Sequence, residues 1–464
     1  MKRPVVLLVN PWIHDFAAYD LWARPLGLLV LATRLRRNGW EPRLVDCLDP
    51  DHPEMGPIKA KALSHGHFHR TPIRKPWALE GIPRTYCRYG VHPEFIRKDL
   101  ESMPVPRAIL VTSLMTYWYP GVQETIQLLR LVFPEAPILL GGIYASLLPE
   151  HAREHCRADE VLVGPGEADL EEALYRKTGV RFSPDEDPAE LEFSPCLDLM
   201  RHVRFLPLLT SRGCPFNCTY CASRKMSPAF VRRNPAIVIE EIQAAAIRYG
   251  VRDIALYDDA FLVDPAGHAL PILEAAAERV PGMRWHTPNG LHASSIDRSV
   301  ASAMKRAGFE TVRLGLESSS DEFHARTGGK TDIQGFLNAV ANLKEAGFSS
   351  EQIGAYLLVG LPGQSKAMIE DDVERVLLAG ALPKLAEYSP IPGTEMWPKA
   401  LKASRYPIDQ EPLFQNCTLL PAAEPKVDAA FLQATRNRIR EYVDRSVLRK
   451  GCLSCSAEEP QRGD

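Results

Sequence analysis

The sequence predicts an α/β protein of two parallel-sheet units in tandem: a doubly wound unit over residues 1–175 and a run of strand–helix units over 205–395, six of which would make an open (β/α)6 barrel, followed by a small, mainly helical tail over 396–464. Three observations predict it. Along both stretches short apolar or β-branched runs alternate with helical patterns, which means parallel strands with their crossover helices outside. Between residues 200 and 395 the helical patterns stop at Gly250, Gly308, Gly347 and Gly380, the residue suited to the left-handed position after a helix. The first run, Val5-Val6-Leu7-Leu8-Val9, has no polar alternation and fits a strand buried on both faces.

In the N-terminal unit the order is a strand at 5–9, a helix at 26–37 stopped by Asn38-Gly39, and strands at 43–45 and 109–112. A helix ending near Phe133, a strand at 138–140 closed by Gly141-Gly142, and a strand at 161–164 complete it. This order suits a Rossmann-like sheet that binds ligands at its C-terminal edge. Residues 50–105 interrupt it with a basic, proline-containing insertion in which His65, His67 and His69 share one face if extended. With no acid or thiol nearby, a solvated or substrate-facing loop is favoured there over a metal site.

Residues 176–204 lack any period and read as a linker. The barrel strands are expected at 205–210, 253–257, 283–287, 311–316, 353–359 and 384–388. Polar groups follow successive strand ends: Asp258 and Asp259, Asn289 and His292, Glu317 and Ser318, then Gly360 to Gln364. Parallel barrels gather their active-site residues at those ends, while each such residue alone also suits a turn or cap. The tail carries a helical stretch at 428–448 and then Cys452 and Cys455, a pair open to a metal, an auxiliary cluster or a redox disulfide.

Composition narrows the classes. The chain has 464 residues, 45% of them hydrophobic, and a net charge of −3, so it builds a large core and offers no basic surplus for nucleic acid. The longest apolar stretch, 25–32, is followed by Thr33-Arg34 and is too short to span a bilayer. No signal peptide is read at the start, and the expected location is cytoplasmic.

The chemistry concentrates in Ser211-Arg212-Gly213-Cys214-Pro215-Phe216-Asn217-Cys218-Thr219-Tyr220-Cys221. Three thiolates on one loop can hold three irons of a [4Fe-4S] cube and leave the fourth without a protein ligand. A structural zinc wants four ligands, usually two paired sets, and no second pair lies near this loop. The loop follows the first barrel strand, which places it at the barrel mouth.

The C-x3-C-x2-C spacing, with Tyr220 before the third cysteine, resembles the signature of radical S-adenosylmethionine (SAM) enzymes. The resemblance implies that SAM chelates the open iron through its amino and carboxylate groups, and that an electron from the cluster cleaves it to a 5′-deoxyadenosyl radical. Arg313-Leu314-Gly315-Leu316-Glu317-Ser318 resembles the family's fourth-strand motif, whose glutamate lies in the SAM pocket. Val359-Gly360-Leu361-Pro362-Gly363 resembles the segment against the adenosyl group, and Tyr388-Ser389-Pro390-Ile391-Pro392-Gly393-Thr394 the run that closes the sixth unit. A small donor such as flavodoxin or ferredoxin is implied as the electron source.

The N-terminal unit resembles the cobalamin-binding domain that precedes the barrel in a large radical SAM subgroup. The matching pieces are Asn10-Pro11, Pro25-Leu26-Gly27, Thr112-Ser113-Leu114, Gly141-Gly142 and Val163-Gly164-Pro165-Gly166-Glu167. Glycine at 141 and 142 would let the backbone approach the corrin or its nucleotide tail. The cobalt-ligating DxHxxG motif is absent, His14 lacks its flanking pattern, and Tyr117-Trp118-Tyr119 is a candidate wall for the lower corrin face, with core packing the equal alternative. The resemblance implies cobalamin-dependent methyl transfer to an unactivated carbon of an unidentified substrate. The alternatives are cobalamin-dependent cyclisation or rearrangement, radical SAM chemistry without cobalamin, and a non-catalytic iron-sulfur protein.

Overall fold

Strand β1 (Val5–Asn10) lies at the centre of a five-stranded parallel sheet with β2 (Glu41–Asp46), β3 (Ala108–Val111), β4 (Ile138–Leu140) and β5 (Glu160–Val161). The order across the sheet is β5-β4-β3-β1-β2. The chain therefore reverses direction between β1 and β3, the topological switch point where doubly wound sheets leave a ligand crevice. Val6 and Leu8 pack into one core and Leu7 and Val9 into another, so β1 is buried on both faces as its unbroken apolar run requires. These positions come from a computed structural model, which describes residues 3–58, 63, 66–182 and 194–455, with side chains described except at 168 and 445–455.

Helix α1 (Leu26–Arg37) follows β1, and α3 (Tyr119–Val132) connects β3 to β4. The segment read as an insertion is largely ordered into the unit. Its last part is α2 (Pro93–Glu101), which packs on α3 and β2 as an ordinary crossover helix. Residues 70–72 and 87–89 pair with the short strand Ile13–Asp15 as a three-stranded antiparallel sheet. His65 falls outside the described residues, and His67 sits exposed against the Tyr19 ring.

The second sheet is six parallel strands in sequential order: β6 (Leu206–Leu208), β7 (Asp253–Leu256), β8 (Arg284–His286), β9 (Phe309–Glu317), β10 (Ile353–Val359) and β11 (Leu382–Glu387). Helices α4 (Pro235–Tyr249), α5 (Ala269–Arg279), α6 (Arg298–Ala307), α7 (Ile333–Glu345) and α8 (Lys366–Ala379) lie between them in the chain. Leu206, Ile254, Trp285, Val312, Leu314 and Leu357 share one core with residues of these helices, so the helices cover one face of the sheet. All four helix-stopping glycines have positive φ, Gly250, Gly308 and Gly380 at the cap and Gly347 one residue beyond Ala346. Strand β9 exceeds its sequence reading at both ends: Phe309 pairs with Trp285 at the start, and a register shift between Gly315 and Glu317 lets pairing continue at the end.

The two units interlock. Trp22 stacks on His286 at 4.5 Å, and Arg24 lies 5.0 Å over the Phe205 ring. His286 is fully buried and held by Asp253 at 3.0 Å and Thr311 at 3.1 Å. The tail straps the units together from the other side. Gln415 accepts from Thr116 Oγ1 at 2.5 Å while its backbone carbonyl accepts from Ser389 Oγ, and Asn416 donates to Asp15 at 2.8 Å. Helix α9 (Ala429–Cys455) runs past the expected end at 448 and includes Cys452 and Cys455, whose side chains lie outside the described residues. No helix among the described residues is long and apolar enough to cross a membrane.

Candidate functional site

The three cysteines occupy a loop pinned at four points. Ser211–Arg212 pairs antiparallel with Val231–Arg232 and closes the loop's base. Gly213 turns there at φ +81, where a Cβ would stand 2.4 Å from the Ala229 carbonyl oxygen. Farther along, Thr219 N donates to Thr327 O at 3.2 Å and Met396 N to Thr219 O at 2.9 Å. Gly328 presses against the loop so closely that a Cβ would lie 2.7 Å from Asn217 O and 3.1 Å from Cys218 Cα.

Asp258, at the end of β7, anchors the entry to the loop. Its buried carboxylate accepts from Thr210 N at 2.9 Å, Thr210 Oγ1 at 2.7 Å and Ser211 Oγ at 2.6 Å. Burial raises its pKa from 3.8 to about 6 despite these bonds. The folded chain thus holds this proton more tightly than the unfolded chain. The resulting stability is fully present below pH 3.8 and is lost as the pH rises through about 6. The stability of the wild type relative to Asp258→Asn is expected to fall by up to about 3 kcal/mol between pH 4 and 7. Urea unfolding across that range checks this, and a difference independent of pH refutes it.

All three thiols are free, Cys214 and Cys218 half-buried and Cys221 exposed. Burial raises Cys214 to about 11, and the neighbouring Asp259, Cys218 and Cys221 add to the effect. Burial also raises Cys218, with Lys330 working in the opposite direction. A centre that binds them as thiolates must supply positive charge, as iron does. Among the described residues no three His, Cys, Asp or Glu side chains group around one ion position. A cube needs no such point, because each cysteine takes a different iron.

Beside this loop stands a buried ion pair. Glu317, at the end of β9, has φ +67, and its carboxylate meets Lys330 Nζ at 2.6 Å. Their side chains are 11% and 14% exposed. Gly315 leaves the space for them, since a Cβ there would lie 3.1 Å from both Glu317 Oε1 and Lys330 Nζ. Lys330 also stands 5.9 Å over the Tyr220 ring, which stacks on Phe323. Burial raises the Tyr220 phenol pKa, and Glu317 and Cys218 raise it further. Cys218, Tyr220, Glu317 and Lys330 are therefore one electrostatic group.

The polar atoms of Ser318, Gly360 and Asn289 are engaged by the protein itself, and His292 differs from them. Ser318 donates to Asp372 at 3.1 Å, which turns its hydroxyl toward α8. Gly360 has φ +84 in a turn closed by Gln364, and a Cβ there would be 3.0 Å from Leu420. Asn289 donates to Tyr257 O at 2.8 Å. His292 packs edge-on against Phe216 of the cysteine loop at 4.4 Å, with its Nδ1 buried and without a partner.

At the N-terminal sheet edge, Ser113 donates to Gly141 O at 2.6 Å and accepts from Ala145 N. Gly142 is required by close approach: at φ +94 a Cβ would stand 2.3 Å from Ser113 O. Gly141 has no such neighbour. His14 Nε2 lies 2.7 Å from Glu124 Oε2. Burial raises the Glu124 pKa, but hydrogen bonds from His14 and Arg88 outweigh it and bring the carboxyl down to about 2. Tyr117 is buried with its hydroxyl 3.7 Å from Cys417 Sγ, and Trp118 donates to Asp15 at 2.6 Å.

Sequence reasoning missed Lys330, which follows Gly328-Gly329 with no motif to mark it. It also missed the strap residues Gln415, Asn416 and Cys417, whose partners are about 300 to 400 residues away in the chain.

Residues 208–376 match the family model described as the Radical SAM superfamily. They form a radical SAM domain. The chain is similar to an uncharacterized methyltransferase of Pyrococcus horikoshii, 26% identical over 299 residues, covering 57% of this chain and 63% of that protein. It is also similar to cytidylyl-2-hydroxyethylphosphonate methyltransferase of Streptomyces wedmorensis, 23% identical over 373 residues, covering 68% and 65%. The chain thus spans just under two thirds of the length of these two relatives. Among solved structures, the radical SAM methyltransferase TsrM of Kitasatospora setae with cobalamin and a [4Fe-4S] cluster bound superposes with a TM-score of 0.62 at 18% identity. The match covers 87% of this chain and 75% of that one. The likeness extends the fold beyond the radical SAM domain to the N-terminal unit.

Proposed function

We propose that this chain is a cobalamin-dependent radical SAM methyltransferase acting on an unactivated carbon. The observation that carries the reading is the set of three free thiols on a pinned loop beside the buried Glu317–Lys330 pair, inside the radical SAM domain. Its six sequential strands are read as the partial (β/α)6 barrel, residues 1–175 as the cobalamin-binding unit and 396–464 as the C-terminal extension.

Cys214, Cys218 and Cys221 would hold the cluster, three thiolates leaving one iron for SAM. Tyr220 and the Glu317–Lys330 pair flank it, with Lys330 offering its ammonium to the SAM carboxylate and Glu317 an acceptor for its ribose or amino group. Ser318 and Gly360 shape the adjoining turns. Ser113, Gly141 and Gly142 form the corrin-facing edge through backbone shape, since the Ser113 hydroxyl is engaged with Gly141 O. His14 is held by Glu124, so no histidine ligand to cobalt is assigned. When bound, the cluster supplies the electron that cleaves SAM and cobalamin carries the methyl group. The chain aligns them and excludes water. A flavodoxin or ferredoxin would deliver the electron. A cytoplasmic location fits, because all eight described cysteines are free.

Anaerobic reconstitution with iron, sulfide and cobalamin, followed by reduction with SAM, tests the reading. Cluster absorption, retained cobalamin and 5′-deoxyadenosine are expected, with S-adenosylhomocysteine once the substrate is present. Cleavage of SAM without retained cobalamin shifts the reading to radical chemistry without the corrin. Absence of any cleavage refutes the enzyme.

A further inference from the structure

The face of the six-stranded sheet turned away from its helices carries two cations without an acidic partner. Val312, Leu314, Ala355 and Leu357 point into the helix-covered core. By the alternation of a strand, Arg313, Tyr356 and Lys384 point the other way. They stand on three adjacent strands, with Arg313 opposite Gly354 and Tyr356 opposite Lys384. The Arg313 side chain lies across Gly354, where a Cβ would be 2.9 Å from its Cδ and 3.1 Å from Nη1. Glycine at 354 leaves the space over β10 that the guanidinium occupies.

Arg313 Nη1 donates to Val312 O at 3.0 Å and Gln352 O at 3.3 Å. Among the described residues neither cation has an ion-pair partner; Glu317 and Glu387 on these strands are engaged by Lys330 and Arg436, and Glu310 shares the alternation of the helix-facing Val312 and Leu314. Burial lowers the Lys384 pKa and the nearby Arg313 lowers it further, so the two charges feel each other. Half-buried like charges are held at a cost in stability, and such costs collect where a ligand repays them.

We propose that Arg313 and Lys384 form the receptor for an anionic group of the substrate, a carboxylate or phosphoryl group. This rests on the radical SAM reading. Arg313 precedes Glu317 by four residues on the same strand, roughly 13 Å at strand rise. An organic acid of that reach places its anion on the cation pair and its reacting carbon near SAM.

Thermal unfolding of the full chain, purified anaerobically, tests the site with inorganic phosphate and acetate as probes against chloride at equal ionic strength. The wild type is expected to gain stability saturably with at least one probe. Lys384→Met and Arg313→Gln are expected to weaken that response about tenfold or more. Lys384→Met should also unfold at a higher temperature than wild type in chloride alone, because one repelling charge is gone. A destabilised Lys384→Met with an unchanged anion response, or no saturable response in the wild type, overturns the proposal. Titrations of SAM and cobalamin separate the sources of the anion. Affinities within twofold of wild type in both variants leave the site to the substrate, whereas a tenfold loss for either cofactor overturns that assignment. The wild type's own SAM cleavage is read separately, so failure of the radical reading is distinguishable from failure of this site.

Discussion

Replacing Cys218 by alanine is expected to abolish the proposed cluster and with it the formation of 5′-deoxyadenosine, while the fold stays intact. Cys218 is half-buried, and removing one sulfur there costs about 1 kcal/mol or less. Loss of one of three ligands, however, leaves two sulfurs for a cube that needs at least three from the protein. The loop itself is held by Thr327, Met396 and Gly328 through backbone contacts that the substitution does not touch. The expected readout is a loss of cluster absorption and of SAM cleavage with an unchanged circular dichroism spectrum and urea midpoint. Cys417→Ala serves as the control, because that thiol faces Tyr117 and not the loop, and its cluster absorption should match wild type. Cleavage of SAM by Cys218→Ala at a rate near wild type would sink both the cluster assignment and the proposed chemistry.

Lys330→Met carries the largest expected cost in stability. It removes the partner of a carboxylate whose side chain is only 11% exposed, and breaking such a buried pair costs about 3–5 kcal/mol. The carboxylate of Glu317 would then be left buried without its cation, since its side chain is almost closed off from water. The double variant Glu317→Gln/Lys330→Met leaves no unpaired charge and should recover a large part of that loss, a non-additivity that identifies the pair. The affinity for SAM should fall about tenfold or more in both, since neither retains the ammonium. Urea unfolding and equilibrium binding measure the two effects. A loss under about 1 kcal/mol with unchanged SAM affinity contradicts the assignment of Lys330.

The outcome at Ser318 and Ser113 shows where motif reading stops. Both sit in segments that the sequence singled out, yet both hydroxyls are engaged by the protein, one by Asp372 and the other by Gly141 O. A motif states that a residue type recurs at a place in the chain. It does not say which neighbour takes its hydrogen bond. Lys330 illustrates the converse, a side chain in a loop without period or motif that reaches the site because Gly315 and Gly328 leave room for the chain to come close. The helix-stopping glycines and the apolar strands were legible because their causes are local: positive φ after a helix and burial on both faces. The strand at 161–164 was overread, since only Glu160–Val161 pair with β4 and Gly164 turns at φ +84.

By itself the sequence determined the alternation of strands and helices, the three-cysteine loop after the first strand of the second sheet, and the absence of the cobalt-ligating motif. These depend on periodicity and on spacing within a few residues, which the chain carries directly. Only the tertiary structure decided that the tail clasps Asp15 and Thr116, that Trp22 seals against His286, that Lys330 meets Glu317, and that the Arg313 side chain lies across Gly354. Each of these joins residues on separate elements. Their proximity is a consequence of sheet order and of where glycine lets two backbones or side chains approach, and no local pattern encodes that.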